Sequence, residues 1–252
     1  MPPSALLDEL MANAWPPALD ERHDGWRFRW ADGVTRRANS VLAVGGGDRL
    51  VELVGLAEGF YRSRGAAALF QVSTASAAPS LGDHLTERGY RSAARTLVAQ
   101  AATRDVVDRT ERATNWSIEV TDHPTDGWFD AYWAVESTRG RSPGDAAICR
   151  DVLLAPRHPT VFVTVREGSD VIAVGQIVTE EGWAGVQCMA THPGHRRRGA
   201  ASAVLHQLAL EALDREVEQM YLAVMADNPA ALALYHRASF NVTHDYSYFA
   251  RA

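Results

Sequence analysis

Hydrophobic and polar residues follow two periods along this chain, one typical of strands and one typical of helices. Short apolar runs bounded by turn residues, such as 159–167 and 220–225, predict strands. Apolar residues three or four positions apart, as in 199–216, predict amphipathic helices. Because the two kinds of segment alternate over most of the chain, we expect an α/β fold in which helices pack on a mixed sheet.

The predicted elements form two series separated by a polar segment. The first series comprises helices at 4–13, 48–64 and 80–88, and strands at 68–73, 92–102 and, as a pair joined by an Asp32–Gly33 turn, within 25–44. The second series comprises helices at 127–138, 144–154, 199–216 and 229–237, and strands at 159–167, 171–178, 183–191, 220–225 and 242–250. The polar segment 103–115 lies between them and is interpreted as a linker.

A weak internal repeat relates the two series. Residues 72–90 align without a gap with residues 222–240, at a constant spacing of 150 residues. Each copy runs from a strand through a loop with proline into a helix, and ends in a small residue before an aromatic one. Chance is the alternative, since alanine and leucine align easily. The paired prolines and aromatics favour a duplication, and hence two related domains, 1–102 and 116–252, with 103–115 as the linker.

The segment HRRRGAASAV, residues 195–204, joins a strand that ends near Thr191 to the following helix. The first turn of a helix presents unpaired backbone N–H groups and the positive end of the helix dipole. Gly199, Ala200 and Ala201 have almost no side chain, so a phosphate group can approach these N–H groups, and the arginines supply charge. We therefore predict an anion site suited to a pyrophosphate. A solvated charge cluster and a nucleic-acid arm are the alternatives.

The composition of the chain limits the classes of binding partner and the cellular compartment that we expect. Hydrophobic residues make up 46% and charged residues 22%, an ordinary globular balance, and the net charge of −6 disfavours nucleic acid and anionic membranes as partners. Cys149 and Cys188 do not make a disulfide framework, and the N-terminal segment lacks the pattern of a signal peptide. No apolar run approaches the ~20 residues that cross a bilayer. We expect a soluble cytoplasmic protein without a metal site, with monomer and homodimer both open.

Two motifs together resemble the GCN5-related N-acetyltransferases, or GNAT proteins. ATHPGHRRRGAASAVL resembles their motif A, Gln/Arg-x-x-Gly-x-Gly/Ala, with Arg196, Gly199 and Ala201 at the fixed positions. LAVMADNPAALALYHRASF resembles the strand and helix that follow, with Asn228 and Tyr235 seven positions apart. The resemblance covers roughly residues 116–252. Ser239 departs from it, since the family usually has glycine before the aromatic residue.

The resemblance implies a tandem GNAT protein in which each module is a mixed, mostly antiparallel sheet flanked by helices. It also implies acetyl-CoA as co-substrate, lying between two splayed strands that end near Thr191 and Val224. Its pantetheine arm would pair with backbone groups of β-strand residues, and its pyrophosphate with the amides of 197–202. The implied cofactor-binding residues are Met189, Ala190, Thr191, Arg196, Arg197, Arg198, Gly199, Ala200, Ala201, Ser202, Asn228 and Tyr235.

The implied reaction is direct attack of a small-molecule primary amine on the thioester, with Tyr235 as the general acid for the departing thiolate. Glu136 is the candidate base, and an ordinary exposed helix glutamate is the alternative. Some family members carry a glutamate where this chain has Ala223. His192 is a further candidate base or a structural loop residue. Cys188 is a candidate nucleophile or, as a mid-strand residue among apolar neighbours, a packed side chain.

The first copy lacks this chemistry. Ala78 and Leu85 stand where the second copy has asparagine and tyrosine, and the segment GGDRLV, 46–51, places Asp48 where a phosphate would approach. We expect a degenerate module that supports the active one. The block GWRFRWADGVTRRANSV resembles actinobacterial tandem proteins, some labelled N-acetylglutamate synthases, which raises glutamate as an acceptor. An amino-acid (glutamate) N-acetyltransferase and a non-catalytic acyl-CoA-binding module are the alternatives to a general small-amine N-acetyltransferase.

Overall fold

A computed structural model describes residues 3–45, 47–111 and 114–251. Gly46, in the predicted counterpart of the anion site, and Arg112 and Ala113, in the predicted linker, lie outside the described residues. The chain forms an α/β fold, in which helices flank one large mixed sheet of eleven strands.

The strands are β1 (Leu19–His23), β2 (Trp26–Trp30), β3 (Val41–Leu42), β4 (Leu69–Ser73), β5 (Arg91–Ala102), β6 (Ser117–Thr121), β7 (Thr160–Glu167), β8 (Asp170–Glu180), β9 (Trp183–Thr191), β10 (Gln219–Met225) and β11 (Asn241–Ala250). The helices are α1 (Pro3–Asn13), α2 (Leu50–Arg62), α3 (Leu81–Glu87), α4 (Thr103–Thr110), α5 (Asp126–Glu136), α6 (Asp145–Leu154), α7 (Ala200–Leu213) and α8 (Pro229–Arg237). Their order across the sheet is β1-β2-β3-β4-β11-β5-β10-β9-β8-β7-β6.

The first strands differ in part from the prediction. A tight turn at Asp24 and Gly25, which both have positive φ values, 49° and 87°, joins a strand that was not predicted, β1, to β2. Such a pair matches the twist of antiparallel strands.

Asp32 and Gly33 also form a tight turn, with φ values of 46° and 78° and a hydrogen bond from the N–H of Val34 to the carbonyl of Ala31, at 2.9 Å. The two strands predicted within 25–44 are present as the antiparallel pair β2 and β3, but the loop 31–40, which begins with this turn, connects them instead of the turn alone. Strand β1 and its turn to β2 were missed, because β1 has a mixed polar sequence that gave no apolar signal.

The predicted linker is largely helical. Residues 103–110 form α4, which packs against α7 and buries Val106 and Thr110. Polar and charged residues fill its exposed face, and this composition favoured the linker interpretation. The following strand β6 was also missed, and it lies at the edge of the sheet, where it pairs with β7 alone.

The elements of the two series correspond at a spacing of 150 residues, and the last strand of each series pairs with strands of the other. β4 and β10 begin 150 residues apart, as do β5 and β11, and as do α2 and α7. Strand β5 pairs with both β10 and β11, and β11 pairs with both β4 and β5. Each series therefore places its last strand against strands of the other series. The sheet is continuous across the predicted boundary, and the domain limits themselves remain a prediction.

The two faces of the C-terminal part of the sheet are covered by different helices. A Cβ atom at Gly175 would meet Met189, Val204 and Leu208, so this position of β8 faces α7. The next residue, Gln176, faces the opposite side. That side carries α5 and α6, with Trp128 and Cys149 in a buried cluster that also holds Trp15 of the first series. Within the described residues, no helix has the length and apolar character to cross a membrane.

Candidate active site

The strands β9 and β10 separate before either ends. Their parallel pairing reaches Val186 and Leu222, although β9 continues to Thr191 and β10 to Met225. Beyond that point, the edge of β9 that faces β10 has no strand partner in the described part of the chain. The sequence-based prediction of a gap between these strands corresponds to this geometry.

A β-bulge shapes β9 beside the gap. Gln176 pairs with Gln187 and Val174 with Ala190, so that Cys188 and Met189 together lie opposite one residue of β8. Cys188 has a φ of 52°, in the left-handed region, which bends the strand and changes the direction of its backbone groups. Met189 packs toward α7, whereas Cys188 belongs to the cluster on the opposite face. The bulge therefore lies where both faces of the sheet meet the gap.

The anion site predicted at the start of α7 has the backbone geometry that such a site requires. Gly199 precedes the helix with a φ of 98°, a conformation that glycine adopts without strain, and Arg197 also has a positive φ, 65°. Within the described part of the chain, the N–H groups of residues 197–202 donate no hydrogen bond. Successive amides of alternating hand form a concave anion site, and the helix dipole adds to it. The residues present therefore fit a diphosphate group.

Arg198 has a partner that the sequence did not indicate. Its guanidinium donates two hydrogen bonds to Glu167, at 2.9 and 2.6 Å, and Trp116 donates to the same carboxylate. The bond from Arg198 holds the pKa of Glu167 below its ordinary value. Arg196 and Arg197 are exposed at the same loop. Arg196 and Arg197 therefore remain beside the amides, whereas Arg198 points toward Glu167 at the end of β7.

His192 has a structural role in the loop before the arginines. Its Nδ1 atom accepts a hydrogen bond from the backbone N–H of Gly194, at 3.2 Å, and lies 3.3 Å from Nδ1 of His195. This contact stabilises the short 3-10 turn at Pro193–His195. Of the two sequence interpretations of His192, the geometry favours the structural one.

Asn228 and Tyr235 lie on the α7 side of the sheet. The Oδ1 atom of Asn228 accepts from the N–H of Ala231, at 3.2 Å, and so caps α8. Tyr235 is half-buried, packs edge-on against Phe240 and contacts the cluster that contains Met189. Desolvation raises the pKa of its phenol to about 12. At neutral pH the phenol is therefore protonated and able to donate a hydrogen bond.

Glu136 lies on the other face, at the end of α5. Its side chain is only 12% exposed and accepts a hydrogen bond from Arg141, at 3.1 Å. The same helix carries Tyr132, which packs in one cluster with Cys149 and Cys188. Burial, and to a smaller degree the charge of Glu136, raises the pKa values of these three groups. We call Glu136, Tyr132, Cys149 and Cys188, together with Arg37 of the 31–40 loop, the Cys188 cluster. The interpretation of Glu136 as an exposed helix residue is therefore wrong, and its carboxylate lies near the bulge.

The two thiols of the Cys188 cluster are not ionised at neutral pH. Desolvation raises the pKa of Cys188 to about 12 and that of Cys149 to about 11. A thiolate, the nucleophilic form, is therefore scarce, which argues against the interpretation of Cys188 as a nucleophile.

Sequence reasoning missed the polar residues of the bulge region. Arg37, from the first series, donates a hydrogen bond from Nη1 to Oε1 of Gln187, at 3.1 Å. Gln176 lies opposite Gln187 in the sheet and is fully buried. No local pattern marks these residues, since they come from distant parts of the chain. The double arginine at 36–37, directly after a turn, was the signal available.

Among the described residues, the first series has no gap between β3 and β4, the parallel strands that correspond to β9 and β10. Gly45 and Ala77 form a parallel bridge beyond the end of β3, and the N–H of Gly45 donates to the carbonyl of Ser76, at 2.9 Å. The open surface at the start of α2 is lined by the acidic residues Asp48, Glu52, Asp83 and Glu87, beside Arg49 and His84. Both features differ from the second series, where the strands stay apart and arginines surround the helix start. Within the described residues, no group of three or more His, Cys, Asp or Glu side chains is placed to hold a metal ion.

The sequence and the fold match known acetyltransferases. The pattern of the family described as "Probable histone acetyltransferase Rv0428c C-terminal" matches residues 6–249. The chain is 27% identical over 245 residues to "Uncharacterized N-acetyltransferase YobR" of Bacillus subtilis, and the match covers 96% of each chain.

Two solved structures show a similar fold along almost the whole chain. A GCN5-related N-acetyltransferase from Kribbella flavida superposes with a TM-score of 0.74 at 13% identity, over 100% of this chain and 96% of that one. A tandem GNAT protein from the clavulanic acid biosynthesis pathway superposes with a TM-score of 0.66 at 13% identity, over 97% of this chain and 86% of that one. At these identities the likeness concerns the fold.

Proposed function

Since this chain belongs to the Rv0428c C-terminal acetyltransferase family and is an acyltransferase of the GNAT type, we propose that it transfers the acetyl group of acetyl-CoA to a primary amine of a small molecule. The observation that carries the proposal is the unpaired run of amides at 197–202 beside the gap between β9 and β10. One side of the gap offers a diphosphate site, and the other offers a cluster with a carboxylate.

Acetyl-CoA fits the residues on the α7 side. The amides of residues 197–202 would hold the pyrophosphate, with Arg196 and Arg197 as neighbouring charges. The free edge of β9 at Met189, Ala190 and Thr191 would bind the amide groups of the pantetheine arm. Asn228 keeps α8 in place through its cap and so orients Tyr235. Acetyl-CoA supplies the activated acetyl group, and the protein supplies position and proton transfer.

Glu136 and Tyr235 lie on opposite faces of the sheet and have different roles in the reaction, Glu136 toward the amine and Tyr235 toward the thioester sulfur. The amine nitrogen forms a bond to the thioester carbon as the carbon–sulfur bond breaks. Glu136 accepts the proton that the nitrogen loses, directly or through a water molecule, and Tyr235 donates a hydrogen bond to the sulfur, which leaves as the thiolate. The raised pKa of Tyr235 keeps the phenol protonated, but it makes complete transfer to a thiol of pKa ~8.5 unfavourable, so a strong hydrogen bond to the sulfur is its main contribution.

Two measurements test the proposal. Calorimetric titration with acetyl-CoA is expected to show binding, and a thiol-release assay with a panel of small amines is expected to show turnover. Binding without turnover by any amine supports a non-catalytic acyl-CoA-binding module instead. Absence of binding refutes the cofactor assignment. The Glu136→Gln variant is expected to bind acetyl-CoA normally and to lose turnover by ~10²-fold or more, with the loss smallest at high pH, where the amine is already deprotonated.

A further inference from the structure

The loop between β2 and β3 is built to hold one arginine against the second series. Asn39 organises this loop, because its Oδ1 atom accepts from the N–H groups of Ala31 and Gly33, both at 2.8 Å, and its Nδ2 atom donates to three carbonyl oxygens. Trp15 donates from its indole nitrogen to Thr35, at 3.0 Å. These hydrogen bonds fix the conformation of the loop, and the loop carries Arg37 to the edge of the bulge in β9.

Arg37 is oriented, but none of the described residues is its counter-ion. Its guanidinium carbon lies 4.3 Å from the centroid of the Trp15 ring, and its Nη1 atom donates to Gln187, whose own Nε2 atom donates to the carbonyl of Ala14, at 3.1 Å. In the part of the chain that the structure describes, no carboxylate lies within 4.0 Å of Arg37, and its other nitrogens donate no hydrogen bond. The side chain is only partly buried, so its unused donors are available to an anion that reaches this face of the sheet.

A buried group beside Arg37 lacks hydrogen-bond partners among the described residues. Gln176 is fully buried, and neither its Nε2 nor its Oε1 atom has a hydrogen-bond partner among the described residues. It lies directly opposite Gln187 in the β8–β9 register, so the two side chains share a face of the sheet and lie within reach of each other. Unpaired buried amides are rare in native proteins. Donors on Arg37 and Gln176 thus converge on one region.

This region lies on the acceptor side of the proposed reaction. Gln176 and Gln187 face away from α7 and its amides, since the neighbouring Gly175 packs against that helix. Arg37 donates to Gln187, and the next residue, Cys188, packs in the cluster that holds Tyr132 of α5, the helix that ends at Glu136. The cation and the proposed base are therefore on the same face as each other and on the opposite face from the diphosphate site.

We propose that the acceptor amine also carries a carboxylate, and that Arg37 binds this carboxylate while Gln176 and Gln187 complete its hydrogen bonding. The inference rests on the proposed function and specifies its substrate class. Guanidinium and carboxylate match in geometry, and two parallel hydrogen bonds fix the acceptor in one orientation. The amine end then points toward Glu136 and the gap. In this arrangement the first series, without a cofactor site of its own, determines which acceptor the second series uses.

The first test compares matched acceptors. Thiol release is measured with a panel of free amino acids and with the corresponding amino-acid amides, which keep the amine and the side chain but lose the charge. The wild-type protein is expected to favour the free acids by ~10-fold or more in kcat/KM. In Arg37→Gln, KM for the acids is expected to rise by ~30-fold or more, while the amides change by less than ~3-fold and the preference disappears. Arg37→Lys is expected to restore part of it. The neighbouring exposed residue serves as the control, and Arg36→Gln is expected to behave as wild type.

The second test needs no turnover. Calorimetric titration with the N-acetylated amino acids, the expected products, is expected to show binding to the wild-type protein and loss of binding in Arg37→Gln, while both proteins bind acetyl-CoA with the same affinity. Equal use of acids and amides by the wild type, or an equal loss on both in Arg37→Gln, overturns the inference and makes Arg37 a packing residue. Acetylation of a lysine-rich peptide in preference to the acids also overturns it. Failure to bind acetyl-CoA would instead refute the proposed function itself.

Discussion

Thr96 of β5 and Tyr246 of β11 lie directly opposite each other at the centre of the sheet, and they are 150 positions apart in the chain. The adjacent residues Arg95 and Asp245 have the same separation and form an ion pair, with 2.6 Å between Nε and Oδ2. Equivalent positions of the two series therefore meet at one point, as on a pseudo-two-fold axis. The sequence repeat therefore relates residues that face each other at the centre of the sheet.

This arrangement predicts that the C-terminal series does not fold alone. A fragment of residues 116–252 lacks β5, so β10 loses one neighbour and β11 loses both, which exposes long strand edges. We expect the fragment to be insoluble or to lack a cooperative thermal transition, and we expect co-expression with residues 1–115 to restore both. Circular dichroism and size-exclusion chromatography measure the outcome. A monomeric fragment with a sharp transition would show that the exchanged strand is dispensable.

Substitution of Gly199 tests the anion site. Gly199→Asp introduces a negative charge and a side chain at the start of α7, and we expect acetyl-CoA to bind at least ~10-fold more weakly, a loss of about 1.4 kcal/mol. Gly199→Asn is the matched control, because it has the same shape without the charge and tolerates a positive φ about as well. Calorimetry on both variants separates charge from bulk. Equal affinities for wild type and Gly199→Asp would remove this loop from the cofactor site.

The closed gap of the first series predicts a single cofactor site. The Gly45–Ala77 bridge occupies the position of the open edge in β9, and Asp48 repels phosphate at the start of α2. Calorimetric titration is expected to give one acetyl-CoA per chain. The variant Asp48→Asn is expected to leave this stoichiometry at one, because the bridge persists. A stoichiometry of two in the wild type would refute the degenerate first module.

The phenol of Tyr235 is expected to act in turnover and not in binding. Tyr235→Phe removes one oxygen from a half-buried ring, so acetyl-CoA affinity should change by no more than a few fold, whereas kcat should fall by ~10²–10⁴-fold. Because the pKa of the phenol is about 12, its ionisation should not appear in the rate profile below pH 10. Single-turnover measurements avoid masking by product release. A near-wild-type single-turnover rate in the Phe variant would assign Tyr235 to packing.

Buried tyrosines predict a loss of stability in alkali. Burial raises the pKa of Tyr90 to about 12 and also raises the pKa values of Tyr61 and Tyr221, whereas an unfolded tyrosine titrates near ~10. Above pH 10 the unfolded chain releases protons that the folded chain retains, so the free energy of unfolding falls as the pH rises. Thermal unfolding from pH 8 to 11 is expected to show a constant Tm up to about pH 10 and a decline beyond it. Tyr221→Phe should make the decline shallower without changing the Tm difference between pH 8 and 9.

Much of the cofactor side of the site was predictable from the sequence, because it is local. The arginines, the glycine at a left-handed position and the first turn of α7 are contiguous, so the unpaired amides follow from the segment 195–204 itself. The strand and helix boundaries of the second series were predicted closely for the same reason, since each has its own periodicity. Strand β1, α4 and β6 were missed, because their sequences are polar and only their tertiary contacts select the conformation.

The acceptor side was decided by tertiary structure alone. Arg37 and Gln187 are separated by 150 residues and meet because the loop after β2 packs on the bulge of β9. Glu136 was a candidate in the sequence, but its contact with Arg141 and its place beside Cys188 depend on how α5 packs on the sheet. The pairing of β5 with β10 and β11 of the second series also does not follow from the sequence. Pairing with a strand of the first series would satisfy the same backbone N–H and C=O groups of β5. Sequence patterns specify local conformation and burial, and the choice among such partners belongs to the packing of the whole chain.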